Sequence, residues 1–225
     1  MNARIMSTGR TLNLFADTAP EKTHEPLCPG AAVLRGFALA NESALITGIR
    51  DVASVAPYRH LITPGGFRMS VAMTNCGAVG WVSDRRGYRY DPIDPHRGKP
   101  WPAMPVAFMN LARDAAAQAG FDNFQPDACL INRYAPGARL SMHQDRDEHD
   151  LRQPIVSVSL GIPAVFQFGG LQRADKPLRV PLLDGDVVVW GGPARLRFHG
   201  VMPLKEGHHD LLGAQRINLT FRKAS

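Results

Sequence analysis

Cysteine is scarce in this 225-residue sequence: Cys28, Cys76 and Cys129 are the whole complement, and no two form a CxxC pair. That excludes a disulfide framework or zinc ribbon and suits a reducing compartment, the cytoplasm. Long apolar runs are missing too. The longest, such as Val187-Val188-Val189-Trp190, fall far short of the ~20 residues of a bilayer-spanning helix, and Met1 to Gly30 holds no signal-peptide apolar stretch. Charged residues stop at 20% while apolar ones reach 44%, so neither a disordered chain nor a membrane protein fits. No repeat or low-complexity tract is visible, and the length suits one domain with extensions. Positive charge is in excess, with 26 Lys and Arg against 20 Asp and Glu and a net charge of +6. Such a surface attracts phosphate chains, although many basic proteins bind no nucleic acid.

Periodicity divides the chain. Residues 1–29 lack it and read as a mobile leader whose Leu12, Leu14 and Phe15 dock locally; residues 30–225 read as a single domain. A strand is expected at 32–37, then a helix N-capped by Asn41, carrying Leu45, Ile46, Ile49 and Val52 on one side and closed by Pro57. A second helix spans 102–119, with Met104, Phe108, Leu111, Ala115 and Ala119 on one stripe and Gly120 after its end. Short strands are expected at 128–134, 155–160, 164–168, 178–183, 186–190, 195–199 and 215–222, separated by Gly, Pro and Asp turns. This pattern predicts a mainly β (α+β) fold, a double-stranded β-helix or jelly roll over 127–225 flanked by helices. Residues 58–101, rich in Gly, Pro, Arg and aromatics, read as a mobile flap opening on the turn Thr63-Pro64-Gly65-Gly66-Phe67. Within it Arg85, Arg86 and Arg89 interleave with Trp81, Tyr88 and Tyr90, which could supply phosphate contacts and stacking faces together. An exposed hairpin whose aromatics cover the core edge would read the same way.

His143 and Asp145 stand at i and i+2, on one side of an extended segment, and His199 at the end of the strand expected at 195–199 could return to the same spot. Two imidazoles and a carboxylate leave coordination positions open, the arrangement of non-haem Fe(II) oxygenases. Chance also produces such pairs, as Glu148, His149 and Asp150 just downstream illustrate, and zinc competes for these ligands, although HExxH is absent. In Arg216-Ile217-Asn218-Leu219-Thr220-Phe221-Arg222 polar and apolar residues alternate strictly. Either the polar face meets solvent, or it lines the barrel and its two desolvated guanidiniums require anions, best met by a dicarboxylate. Asn132 and Tyr134, also at i and i+2, could complete the hydrogen bonds of that dicarboxylate or simply end a strand.

These residues together resemble the AlkB family of DNA-repair dioxygenases. The resemblance rests on Asn132-Arg133-Tyr134-Ala135-Pro136-Gly137, His143-Gln144-Asp145, Asp186-Val187-Val188-Val189-Trp190-Gly191-Gly192, His199-Gly200 and the strand from Arg216 to Arg222, and extends upstream through Thr63-Pro64-Gly65-Gly66 and Trp101-Pro102-Ala103-Met104-Pro105. It implies oxidative demethylation of N-alkylated bases, typically 1-methyladenine and 3-methylcytosine, with Fe(II), and 2-oxoglutarate and O2 as cosubstrates. The substrate would be single-stranded DNA, with double-stranded DNA or RNA as further substrates, flipped one nucleotide at a time into a monomeric enzyme. By resemblance, His143, Asp145 and His199 would hold iron. Arg216, Asn218 and Tyr134 would take the distal carboxylate of 2-oxoglutarate, and Arg222 and Asn132 its iron-chelating end. Trp81 and His143 would sandwich the base, Asp147 would read its exocyclic amine, and Tyr88, Tyr90, Arg173 and Thr63 would help hold the nucleotide under a lid formed by 58–101. Phe67 departs from the family's tyrosine at that place. The stretch from His208 to Gln215 departs as well, so His208 and His209 read as surface residues near the mouth without a ligand role. A related dioxygenase acting on RNA or protein, and a non-catalytic nucleic-acid-binding module, are the alternatives.

Overall fold

Strand Arg216–Arg222 organises the molecule, pairing antiparallel with Ile155–Gly161 on one side and Ala128–Tyr134 on the other. Its apolar row, Ile217, Leu219 and Phe221, joins the core beneath helices α1 (Glu42–Val55) and α2 (Val106–Gln118). Its polar row points the other way yet is equally buried, Arg216 being 2% and Arg222 6% exposed. The barrel-lining alternative for this face is therefore the correct one.

The computed structural model describes residues 23–225. Leu12, Leu14 and Phe15, and with them most of the expected leader, lie outside the described residues. The leader's boundary needs correction, because His24–Cys28 is a strand paired with Ala31–Leu34 at the edge of the large sheet. That sheet has eight strands, in the order His24–Cys28, Ala31–Leu34, Val187–Trp190, Ile155–Gly161, Arg216–Arg222, Ala128–Tyr134, Arg68–Gly77 and Arg59–Ile62. A four-stranded sheet, in the order Leu140–His143, His199–Val201, Ala164–Phe168 and Leu178–Leu182, faces it. Helices cover one face of the large sheet and the small sheet covers the other, the predicted jelly-roll arrangement.

Helix α2 ends as its sequence suggests. Gly120 takes φ +85°, its N–H donates to the Ala117 carbonyl and that of Phe121 to the Ala116 carbonyl, a Schellman termination. Phe108 is fully buried and meets Phe221 edge-on, ring centroids 6.0 Å apart. Phe108→Ala is expected to destabilise the fold by about 3–5 kcal/mol, read from urea unfolding, by opening a cavity between helix and sheet.

Two local expectations differ from the structure. Asn41 does not cap α1 with its side chain, because the chain enters that helix through a 3-10 turn, Leu39–Asn41. The strand expected at 195–199 begins only at His199 and runs to Val201. The preceding residues are held by side chains instead: Arg195 donates to the carbonyls of Asp145 and Gln153, and Arg197 to that of Gly169. Alternation alone could not distinguish these arginines from a ladder.

The segment 58–101 is not one separate flap, since Arg59–Ile62 and Arg68–Gly77 belong to the large sheet. What projects is the hairpin Gly80–Asp84 and Gly87–Asp91, with Arg85 and Arg86 at its turn. It is tied down at its base: the Asn75 amide receives the Trp81 N–H and donates to the Trp81 carbonyl, both at 3.0 Å, and Ser83 donates to the Ile62 carbonyl. Two of its arginines are already paired, Arg86 and Arg89 both binding Asp84, which keeps that carboxyl well below the usual carboxylate range. No helix among the described residues is long and apolar enough to cross a membrane.

Candidate active site

His143 ends the strand Leu140–His143 and stands directly across from His199, the first residue of its neighbour. The two rings lie 4.3 Å apart. Each Nδ1 faces a backbone carbonyl two residues back, that of Ser141 at 2.9 Å for His143 and that of Arg197 at 3.1 Å for His199. A carbonyl only accepts, so each Nδ1 carries a proton, which leaves each Nε2 as the atom that can face a metal ion. Asp145, two residues past the strand, closes the third side, with carboxylate oxygens 3.5 Å from His143 Nε2 and 3.7 Å from His199 Nε2. The three ligand atoms lie within 4.8 Å of one another, close enough to share one ion.

Electrostatics prepares these groups. Burial opposes the charge of Asp145, but Arg222 and the two histidines overcome it and hold the carboxyl well below its ordinary range. Burial, and then His143, push His199 down, towards the neutral imidazole that a metal ligand requires. Trp190 packs edge-on against the His199 ring at 4.9 Å and Phe166 lies 6.0 Å from it, a dry wall behind the ligand.

The centre opens into a cleft of about 980 Å³ between the two sheets. On its large-sheet wall Tyr134 stands opposite Arg216 and Asn132 opposite Asn218. Arg216 donates to Ser159 Oγ at 2.7 Å and lies against the Tyr134 ring, but its Nε and Nη1 are buried without a partner, as is Asn132 Oδ1. Desolvation consequently pulls this guanidinium below its ordinary basicity. A buried cation of this shape, without a counter-ion among the described residues, fits a carboxylate. Asn218 shares the wall, but its amide is fully engaged by Asn132, Ser157, Thr220 and the Val158 carbonyl.

Arg222 corrects the picture of two guanidiniums awaiting anions. Its Nε and Nη2 both bind the Asp145 carboxylate, the former at 2.9 Å, and its Nε also lies 3.2 Å from Glu148. Sequence reading missed Glu148 and its buried partner Arg195. Glu148 sits in a charged run that resembles ordinary surface, and Arg195 was hidden in the misread strand.

At the mouth Trp81 stacks on Tyr88, centroids 5.5 Å apart, and its Nε1 donates to Asp147 at 3.0 Å. Arg173 covers the Phe198 ring, and Thr63 accepts the N–H of Phe67, which is 76% exposed. Every residue given a role by the resemblance lines the cleft except Tyr90, and Arg85, Arg86 and Arg89 of the hairpin lie outside that lining. The Tyr90 hydroxyl is turned inward and donates to Glu148 at 2.7 Å, so Tyr90 belongs beneath the hairpin and not among the nucleotide contacts. His209 is corrected too. It is partly buried, with its Nε2 between Glu42 and Asp184 at 3.5 and 3.4 Å, fastening the loop before the last strand to the start of α1. His208 is exposed, as expected.

A family model described as the 2OG-Fe(II) oxygenase superfamily matches residues 30–222. The alpha-ketoglutarate-dependent dioxygenase AlkB of Escherichia coli (strain K12) is 62% identical over 213 residues, covering 95% of this chain and 98% of its own. The chain belongs to the AlkB family of Fe(II)- and 2-oxoglutarate-dependent dioxygenases. The AlkB of Salmonella typhimurium is 61% identical over 214 residues, with 95% and 98% coverage of the two chains. The solved structure of OsALKBH1, 28% identical, covers 89% of this chain and 99% of its own with a TM-score of 0.77. As an AlkB protein the chain uses Fe(II) and 2-oxoglutarate, and the convergent His143, Asp145 and His199 and the buried Arg216 fit those two guests.

Proposed function

We propose that this AlkB protein repairs single-stranded DNA by removing N-methyl groups from bases such as 1-methyladenine and 3-methylcytosine. In this reading His143 Nε2, Asp145 and His199 Nε2 hold the ferrous ion. Arg216 and Tyr134 take the distal carboxylate of 2-oxoglutarate, with Asn218 fixing the wall around it. Asn132 faces the end nearer the metal, while Arg222 acts there through Asp145. When bound, iron and 2-oxoglutarate with O2 supply the oxidising chemistry that hydroxylates the methyl carbon, after which formaldehyde, succinate and CO2 leave.

The remaining residues select and seat the base. A base stacked in a duplex cannot reach a buried centre, so the nucleotide must enter flipped, most readily from a single strand. In this reading Trp81 on the recognition hairpin offers one stacking face and the His143 ring the other; both line the cleft, as do Tyr88, Arg173 and Thr63. The Trp81–Asp147 hydrogen bond places a negative charge at the ring edge. A base made cationic by methylation gains from the ring quadrupole and from that charge beyond the stacking that any base obtains. A monomer in the cytoplasm completes this reading, and the three free cysteines suit that compartment.

The observation that carries this reading is the convergence of three ligand atoms at the edge of a cleft whose far wall holds a buried guanidinium with no counter-ion among the described residues. The test incubates the protein with Fe(II), 2-oxoglutarate, O2 and an oligonucleotide bearing one methylated base. Mass spectrometry should show loss of one methylene equivalent with release of formaldehyde; an oligonucleotide of unchanged mass would overturn the proposal. An oligoribonucleotide of the same sequence measures RNA activity in parallel. Trp81→Ala is expected to raise KM for the methylated oligonucleotide by about 5- to 100-fold, from the ~1–3 kcal/mol of one base–aromatic stack, while 2-oxoglutarate binding measured by calorimetry stays unchanged.

A further inference from the structure

Glu148 lies three residues beyond Asp145 in a run that looks solvent-exposed, yet its side chain is 2% exposed. One carboxylate oxygen receives the Tyr90 hydroxyl at 2.7 Å and lies 3.2 Å from Arg222 Nε; the other receives Arg195 Nη2 at 2.9 Å. Both guanidiniums then go on to Asp145, Arg195 to its backbone carbonyl at 2.6 Å and Arg222 to its carboxylate. Tyr90 stands directly across the hairpin from Trp81. A chain of buried contacts therefore runs from the hairpin that presents Trp81, through Glu148, to both ends of Asp145.

We propose that Glu148 is a positioning residue coupling the seating of the recognition hairpin to the orientation of Asp145. This rests on the reading of Asp145 as a metal ligand and of the hairpin as the base-recognition element. Two carboxylates and two guanidiniums form a closed, neutral set. Within it Glu148 draws on Arg222 in competition with Asp145, and so sets how strongly that guanidinium holds the ligand carboxylate. The hydroxyl of Tyr90 shares the same Glu148 oxygen. Lifting the hairpin removes that donor, leaves Glu148 more dependent on Arg222, and changes the hold on Asp145. A hairpin closed on a base thus fixes the ligand, and an open one loosens it.

Two full-length variants test this. Tyr90→Phe keeps the Glu148–Arg195 pair intact. It should raise deuterium uptake across residues 80–91 of the metal-free protein by at least about threefold while the strands of the large sheet stay protected. It should also raise the 2-oxoglutarate consumed per methyl group removed by at least about threefold, since chemistry is then no longer tied to a seated base. Glu148→Gln keeps the shape but removes the charge, and should weaken Mn(II) binding, followed anaerobically by calorimetry, by about 10-fold, the usual scale for residues that orient a metal ligand. Wild-type exchange and consumption ratio in Tyr90→Phe would overturn the proposal, as would a Glu148→Gln protein that melts lower yet binds Mn(II) normally. Should the wild-type protein leave the methylated oligonucleotide untouched, the substrate reading fails while the exchange and Mn(II) measurements still judge Glu148.

Discussion

Replacing Arg216 by methionine should raise the KM for 2-oxoglutarate by about 10- to 100-fold and leave the metal-free protein at least as stable as before. The two effects have opposite signs for one reason. Arg216 is buried with one hydrogen bond, to Ser159, and with two nitrogens unmatched. Burying a charge without a counterion costs free energy, which a well-packed apolar replacement recovers. The guest carboxylate supplies the missing partner, and a charged hydrogen bond of roughly 1.5–3 kcal/mol sets the loss of affinity when it cannot form. Initial rates at varied 2-oxoglutarate and a thermal melt of the metal-free protein check both halves. An unchanged KM would remove Arg216 from the cosubstrate site; a marked fall in melting temperature would mean its charge is satisfied by contacts within the protein.

Asp145→Ala should be the mirror image, losing both function and stability. Demethylation is expected to fall by at least about 100-fold, more than a change beside the ligands causes, because a ligand itself is gone. Stability should fall by about 3 kcal/mol, because Arg222, itself 7% exposed in its side chain, loses its principal counterion inside the protein. His143→Ala supplies the control. Its side chain is 33% exposed and hydrogen-bonds locally, to the Ser141 carbonyl, so turnover should vanish as completely while the urea midpoint barely moves. A fully active Asp145→Ala protein would overturn the assignment of the centre.

The parts legible in the sequence were those where period and chemistry coincide. Arg216–Arg222 alternates so strictly that its two faces could be written down residue by residue, and the only open question was which face met solvent. Phe108 and Leu111 of α2 announced a buried stripe in the same way. His143 and Asp145 were readable because two residues of spacing place them on one side of an extended chain, whatever the fold around them. Other features depended on distant parts of the chain. Glu148 is buried only because Arg195, Arg222 and Tyr90 arrive from three separate segments, and nothing within its own neighbourhood marks it. Tyr90 was read as a nucleotide contact because it sits among arginines and aromatics, and by register it does share the face of Trp81, but its hydroxyl is taken up by Glu148 from a distant part of the chain. Arg68–Gly77 read as part of a flap because its neighbours Thr63 to Phe67 and Arg85 to Tyr90 do project, whereas its partner Ala128–Tyr134 draws it into the sheet.

The alternation of the final strand separates two kinds of mutational damage along seven adjacent positions. Drift at Ile217, Leu219 or Phe221 is felt through the helices as a change in how firmly the scaffold stands, and shape-conserving apolar exchanges there are absorbed. Drift one position over, at Arg216, leaves the scaffold standing and alters what it can hold. Neighbouring codons therefore answer to different selective pressures, and durability and chemistry can be tuned independently within a single segment.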